Sequence, residues 1–155
     1  MPGIDEVDEI ILRELRKNGR ITLTDLGKKV NLTPAAVKNR VEKLEKLGAI
    51  KGYSAVIDSA FLGEFLTALI EVELVNPEAQ DLEERIRGLV KMENVLDVYK
   101  KTGEFHILIR ATFKDVEALN SFLRELNLKH LKNLARRIRV SVVLESFKEA
   151  GVPVR

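Results

Sequence analysis

The 155-residue chain contains no cysteine and no tryptophan, and only two histidines and four prolines. Without cysteine there is no disulfide scaffold, thiolate zinc site, iron–sulfur cluster or cysteine nucleophile. His106 and His130 alone are too few for a histidine metal cage. Long apolar runs are missing too. None reaches the roughly 18 residues of a membrane span, and Met1 to Glu6 turns acidic where a secretion signal would be basic and then apolar. Nor is there a nucleophile elbow, a P-loop, an HExxH pair or a GxGxxG after a strand. These absences predict a cytoplasmic protein that is not an enzyme and carries no cofactor. Glutamine is confined to Gln80 while Lys, Arg and Glu abound, a balance like that of thermophile proteins. The chain is 45% hydrophobic and 32% charged, enough to bury a core in one ordinary domain or two small ones.

The formal net charge of +2 hides an asymmetry. Between Arg16 and Lys51 lie ten basic residues (Arg16, Lys17, Arg20, Lys28, Lys29, Lys38, Arg40, Lys43, Lys46, Lys51) and three acidic ones (Asp25, Glu42, Glu45). From Tyr53 onward, 15 basic residues face 16 acidic ones. A surface for a polyanion therefore belongs to the first third.

Hydrophobic spacing divides the chain in two. Asp5 can cap a helix carrying Val7, Ile11 and Leu15, which Asn18-Gly19 stops. Thr22 and Asp25 form a capping pair for a short helix burying Leu23, Leu26 and Val30. Asn31 suits a left-handed turn, and Thr33-Pro34 starts a third helix with Val37, Val41 and Leu44 on one face and Gly48 at its end. Ala49 to Asp58 then has strand spacing around Gly52, which predicts a small wing hairpin. After a connection over 59–64 the period changes toward two. Ala68, Ile70, Val72 and Leu74 alternate with Leu69, Glu71 and Glu73. Leu82, Ile86, Leu89 and Val90 mark a helix, Val95 to Lys101 and Phe105 to Phe113 are strands about a turn at Thr102-Gly103-Glu104, and Asp115 caps a helix through Leu126. Ile138, Val140, Val142 and Leu144 form a last strand with an apolar inward side. The expectation is an α+β chain: a winged helix-turn-helix over 1–58, a linker over 59–64 and a ferredoxin-like βαββαβ domain over 65–155. Helices on one sheet face would leave the other, with Leu69 and Leu108, to be covered by a second subunit.

A helix-turn-helix lays its second helix in the major groove and reads base edges with that helix's first turns. With Val37, Val41 and Leu44 inward, Thr33, Ala35, Ala36, Lys38, Asn39 and Lys43 lie on or near the outer surface, and Arg40 flanks the core. Asn39 can read adenine, Lys38 or Arg40 guanine or phosphate, and Ala35 or Ala36 a thymine methyl; Lys28, Lys29, Lys43, Lys46 and Lys51 are expected on phosphates. Double-stranded DNA is therefore the expected partner.

Residues 4–58 and the domain after them resemble the Lrp/AsnC (feast/famine) regulators. The resemblance rests on Asp5 and Asp8, the run Val37-x-x-Arg40-Val41-x-x-Leu44-Glu45, the exit from Gly48 to Tyr53, and Phe61-Leu62-Gly63. Gly27 stands where the family usually has alanine, and Asn31 where glycine is common. The resemblance implies dimers that assemble into octamers or related forms, with an amino acid or similar small molecule bound between dimers. The family's loop between the second and third strands usually reads Gly, acid, aromatic, Asp; here it is Gly103-Glu104-Phe105-His106, preceded by Thr102. An aspartate there would answer an ammonium group, and His106 does not. With Arg137 and Arg139 on the outer side of the last strand, the expected effector is anionic. Two other readings share this build. One is an enzyme resembling tetrapyrrole decarboxylases, and the other is an effector-independent nucleoid-coating protein.

Overall fold

Asp5 accepts a hydrogen bond from the Asp8 amide (2.9 Å) while Asp8 accepts one from the Asp5 amide (3.1 Å), a reciprocal cap that opens α1 (Glu6–Lys17). In the computed structural model, which describes residues 3–155, α2 (Leu23–Val30) and α3 (Pro34–Lys46) follow under caps from Thr22 and Thr33. Ile11, Leu26, Val37 and Leu44 are fully buried between them, each contributing on the order of 1.5–3 kcal/mol. The turn from α2 to α3 is tight. Asn31 takes φ 56° and ψ 47°, and both its amide and that of Leu32 donate to the Gly27 carbonyl. A Cβ at Gly27 would lie 2.4 Å from the Leu32 oxygen, so the departure from alanine is what lets this turn close.

The wing hairpin does not form. The amides of Ala49 and Ile50 both donate to the Leu44 carbonyl and close off α3, which leaves too little chain before Gly52 for a first strand. Residues 51–58 are irregular. The paired strands of this unit come instead from the far end of the chain, β5 (Lys148–Glu149) with β6 (Val152–Pro153). Residues up to Ile57 and Ser146–Arg155 form one compact unit, Asp58–Glu145 the other, whereas the sequence reading ran the second domain to residue 155. The reason is visible at Gly151. Its φ of +83° brings the hairpin so close to α1 that a Cβ would sit 3.0 Å from the Arg16 carbonyl oxygen. The stretch read as a linker over 59–64 groups with the second unit: Ser59–Leu62 is a 3-10 turn capped by Asp58, and Glu64 accepts a hydrogen bond from the buried Thr112 hydroxyl.

The second unit holds β1 (Leu66–Leu74), α4 (Leu82–Val90), β2 (Val95–Lys100), β3 (Ile107–Phe113), α5 (Val116–Glu125) and β4 (Ala135–Val142). The strands form one antiparallel sheet in the order β2-β3-β1-β4, as the βαββαβ pattern requires. Ala68, Ile70, Val72 and Leu74 pack with Ile107, Ile109, Leu89, Leu119 and Phe122 in its core. On β4 the register is as expected, since Ala68, Ile70 and Val72 face Val142, Val140 and Ile138. The burial is not. β4 is an edge strand, so Val140 and Val142 remain partly exposed, and Leu144, beyond the strand, is 96% exposed. A π-helical turn at Leu126–His130 ends α5, with the His130 ring against Gly88. Among the described residues no helix is long and apolar enough to cross a membrane.

Candidate nucleic-acid interface and effector site

On α3, Val37 and Leu44 are buried and Val41 partly so, which turns Ala35, Lys38 and Asn39 to solvent beside the exposed cap Thr33, with Ala36 half-buried. The first half of the helix therefore offers a small, hydrogen-bonding surface. Lys28 is exposed on α2. Lys29 is also exposed and reaches Glu14 at 3.4 Å, and Lys38 lies 3.9 Å from Glu42.

Arg40 and Lys43 are differently employed. Asp8 is completely buried, and its carboxylate accepts from Arg40 (3.1 Å), Lys43 (2.6 Å) and the Asp5 amide. Arg40 also donates to both oxygens of Asp5, at 2.9 and 2.8 Å. Burial by itself would raise the Asp8 pKa. Hydrogen bonds from Lys43, the Asp5 amide and Arg40 outweigh it and hold the group below its ordinary value. The Arg40 hydrogen bond, then the Asp8 amide, brings Asp5 down to about 2. Arg40 and Lys43, expected on DNA, are here paired with a carboxylate on the buried side of α1, with their side chains 29% and 42% exposed. The signal was present, because Asp8 precedes Ile11 by three residues and Leu12 by four and so falls on an apolar stripe.

In the second unit, the structure brings together Glu104, Phe105, Arg137 and Arg139, with Thr102 and Gly103 exposed in the adjoining loop. Phe105 is 5% exposed because the guanidinium groups of Arg139 and Arg137 lie over its ring, 4.2 and 5.1 Å from the centroid. Both arginines have carboxylate partners. Arg139 pairs with Glu71 (2.8 Å), and Arg137 pairs with Glu73 (2.6 Å) and with Glu104. Lys101 reaches Glu71 at 3.2 Å, and Arg136 reaches Glu73 at 3.7 Å. The spacing of two between Glu71 and Glu73 matches that of Arg137 and Arg139, and antiparallel pairing sets Glu71 opposite Arg139 and Glu73 opposite Arg137. A near-balanced set of charges replaces the expected anion pocket.

His106 does not point into this group. Its Nδ1 accepts from the Leu74 amide at 2.9 Å, and its own amide donates to the Val72 carbonyl at 2.8 Å. The side chain extends the β1–β3 ladder past its last paired residues, Val72 and Ile107. The strand alternation that would have aimed it outward begins only at Ile107.

Two family models match the chain: the AsnC-type helix-turn-helix domain over residues 4–45 and the Lrp/AsnC ligand binding domain over residues 67–153. An uncharacterised HTH-type transcriptional regulator of Pyrococcus furiosus is 69% identical over 152 residues, covering 98% of each chain. The leucine-responsive regulatory protein of Salmonella typhimurium is 33% identical over 153 residues, 97% of this chain and 92% of that one. Among solved structures, a transcriptional regulator from Neisseria meningitidis in complex with L-methionine superposes with a TM-score of 0.76 at 30% identity, covering 94% of this chain and 93% of that one.

Proposed function

The chain belongs to the Lrp/AsnC family and is a DNA-binding transcriptional regulator; from that premise we propose which residues read DNA and which answer an effector. The exposed start of α3 enters the major groove. Asn39 reads an adenine edge, Lys38 a guanine or a phosphate, Ala35 and Ala36 pack on thymine methyls, and Thr33, Lys28 and Lys29 lie along the backbone. The observation that carries this is the exposure of Ala35, Lys38 and Asn39 opposite the buried Val37 and Leu44. The protein acts in the cytoplasm as a dimer or a higher assembly such as an octamer, and catalysis has no part in it. In support of self-association, among the described residues no helix covers the sheet face that bears Leu69 and Leu108. Paired recognition helices then meet half-sites about one or more DNA turns apart.

The effector is amino-acid-like and binds at the Thr102 to Phe105 loop beside Arg137 and Arg139. The alternation of carboxylates and guanidinium groups there suits a zwitterion better than an anion, since one molecule can exchange with partners of both signs. The Neisseria relative's complex with L-methionine supports the same class.

Selection of a preferred duplex from randomised DNA, followed by gel shift across salt, tests the first half. Asn39→Ala should lose discrimination at one base pair by roughly 1–3 kcal/mol, and Lys28→Ala should weaken all duplexes alike. Retention of full discrimination by Asn39→Ala removes that residue from the readout. Calorimetry with the twenty amino acids and common carboxylic acids tests the second half. Binding of a dicarboxylic acid in preference to every amino acid refutes the zwitterion reading.

A further inference from the structure

The cations of the first third fall into two groups. Lys28 and Lys38 are exposed on α2 and α3, and Lys38 lies 3.9 Å from Glu42. Arg40 and Lys43 stand one turn apart on the flank of α3, and both converge on the buried Asp8 of α1. A helix turns about 100° per residue, so two anchors three residues apart on one flank fix both its rotation about its axis and its slide along it. The non-directional contacts of Val37, Val41 and Leu44 leave both freedoms partly open.

We propose that Asp8 is a positioning residue for DNA recognition: by holding Arg40 and Lys43 it sets the rotation of α3 that presents Ala35, Lys38 and Asn39, and it withholds both cations from phosphate. Asp8 itself touches no DNA. Three consequences separate this from a purely structural ion pair and from a phosphate-binding role. Loss of the anchor reduces discrimination between duplexes even where the protein remains folded. Removal of Lys43 leaves the salt dependence of binding unchanged, because no phosphate contact is lost, whereas removal of the Asp8 charge does not lower it, because the released cations become available to phosphate. Removing the negative charge of Asp8, which on electrostatic grounds alone would strengthen DNA binding, instead lowers the preference for the selected site.

The inference rests on the reading that α3 enters DNA, and lysine acetylation footprinting of the wild-type full chain tests the two separately. The probes are the duplex selected from randomised DNA and a scrambled duplex of the same composition. Lys28 and Lys38 should become protected when the selected duplex is added, while Lys43 should react slowly and equally with and without it. If Lys28 and Lys38 gain no protection, the reading of α3 has failed. If they do and Lys43 also becomes protected only on DNA, the positioning proposal is overturned.

Variants then give the magnitude. At a temperature where circular dichroism shows each to be folded, Asp8→Asn and Lys43→Met should lower the ratio of selected to scrambled affinity about tenfold, with the salt slope unchanged in Lys43→Met and not lowered in Asp8→Asn. Lys28→Ala should lower the slope by about one with an unchanged ratio. A wild-type ratio in Asp8→Asn, or a slope lowered by one in Lys43→Met, refutes the proposal. Should Asp8→Asn not fold, Asp8→Leu combined with Lys43→Leu replaces the pair by apolar groups and is held to the same criterion.

Discussion

Both units of this protein pair carboxylates with arginine and lysine across neighbouring elements, but they do so under opposite conditions. Asp8 in the first unit is fully buried and accepts from two cations and an amide. In the second unit Glu71 and Glu73, 19% and 15% exposed, and the open Glu104 share their cations on a sheet face where the side chains of Arg137 and Arg139 are more than half exposed. Burial rather than the number of pairs decides what each cluster is worth. A charge removed from water cannot be abandoned by its partners without a large penalty, whereas an exposed one is rehydrated and screened. The buried cluster can therefore act as a rigid anchor. The exposed one can exchange partners, as an effector site must.

The strongest way to break this comparison is to strip the buried carboxylate of both cations. Arg40→Ala combined with Lys43→Ala leaves Asp8 with the Asp5 amide alone and should cost about 3–5 kcal/mol, read as a lower urea midpoint for the helical unit. A loss no larger than that of an exposed pair would show that water reaches Asp8. Gly27→Ala should come next, at about 1–3 kcal/mol. Its new methyl meets the Leu32 carbonyl oxygen at 2.4 Å, and the turn between α2 and α3 has to open. Hydrogen exchange at the Asn31 and Leu32 amides, both bonded to the Gly27 carbonyl, reports that opening directly.

Acid sharpens the contrast. Asp5 and Asp8 have folded-state pKa values below their unfolded ones, so their stabilisation is complete above about pH 4 and is lost as pH falls through the folded values, toward about 2 for Asp5. Amides of α1 and α3 should lose exchange protection in that window, and Asp5→Asn with Asp8→Asn should flatten the dependence. Hydrogen bonds from Arg139 and Lys101 lower Glu71 as well, but in the exposed ladder that contribution should fade when salt is added. Equal salt sensitivity of the two units would contradict the account.

Much of this was legible in the sequence, and the misses have two causes. Helix starts at Asp5, Thr22, Thr33 and Asp115 are local hydrogen bonds between a side chain and an amide three residues on, so spacing alone reveals them. The βαββαβ order follows from changes of period that are equally local. Part of what escaped was non-local, and part was the end of an element. The sequence distance between Asp8 and Arg40 hid their pairing, although a charge on an apolar stripe announces that some partner is needed. The open edge of β4 could not be read from Val140 and Val142, whose alternation is the same whether or not a helix covers them. His106 misled because alternation was extended two residues beyond the point where the strand begins. The hairpin expected after Gly48 failed because the end of α3 used its first residues.

The smallest effect probes the exposed ladder where two forces overlap. Arg139 pairs with Glu71 and also lies 4.2 Å from the Phe105 centroid, and the two contacts answer differently to salt. The ion pair weakens as counterions gather, while the attraction of the cation to the ring beneath it, and the shielding of Phe105 from water, depend on short-range contact. Arg139→Gln should therefore destabilise the second unit by about 0.5–1 kcal/mol, and most of that loss should persist at about 1 M salt. Arg137→Gln, whose group lies farther from the ring at 5.1 Å and is engaged by Glu73 and Glu104, should show a loss that salt largely erases. Urea unfolding of both variants at low and high salt separates the two. If Arg139→Gln regains wild-type stability in high salt, its hold on Phe105 is only an ion pair in passing, and the burial of Phe105 needs another explanation.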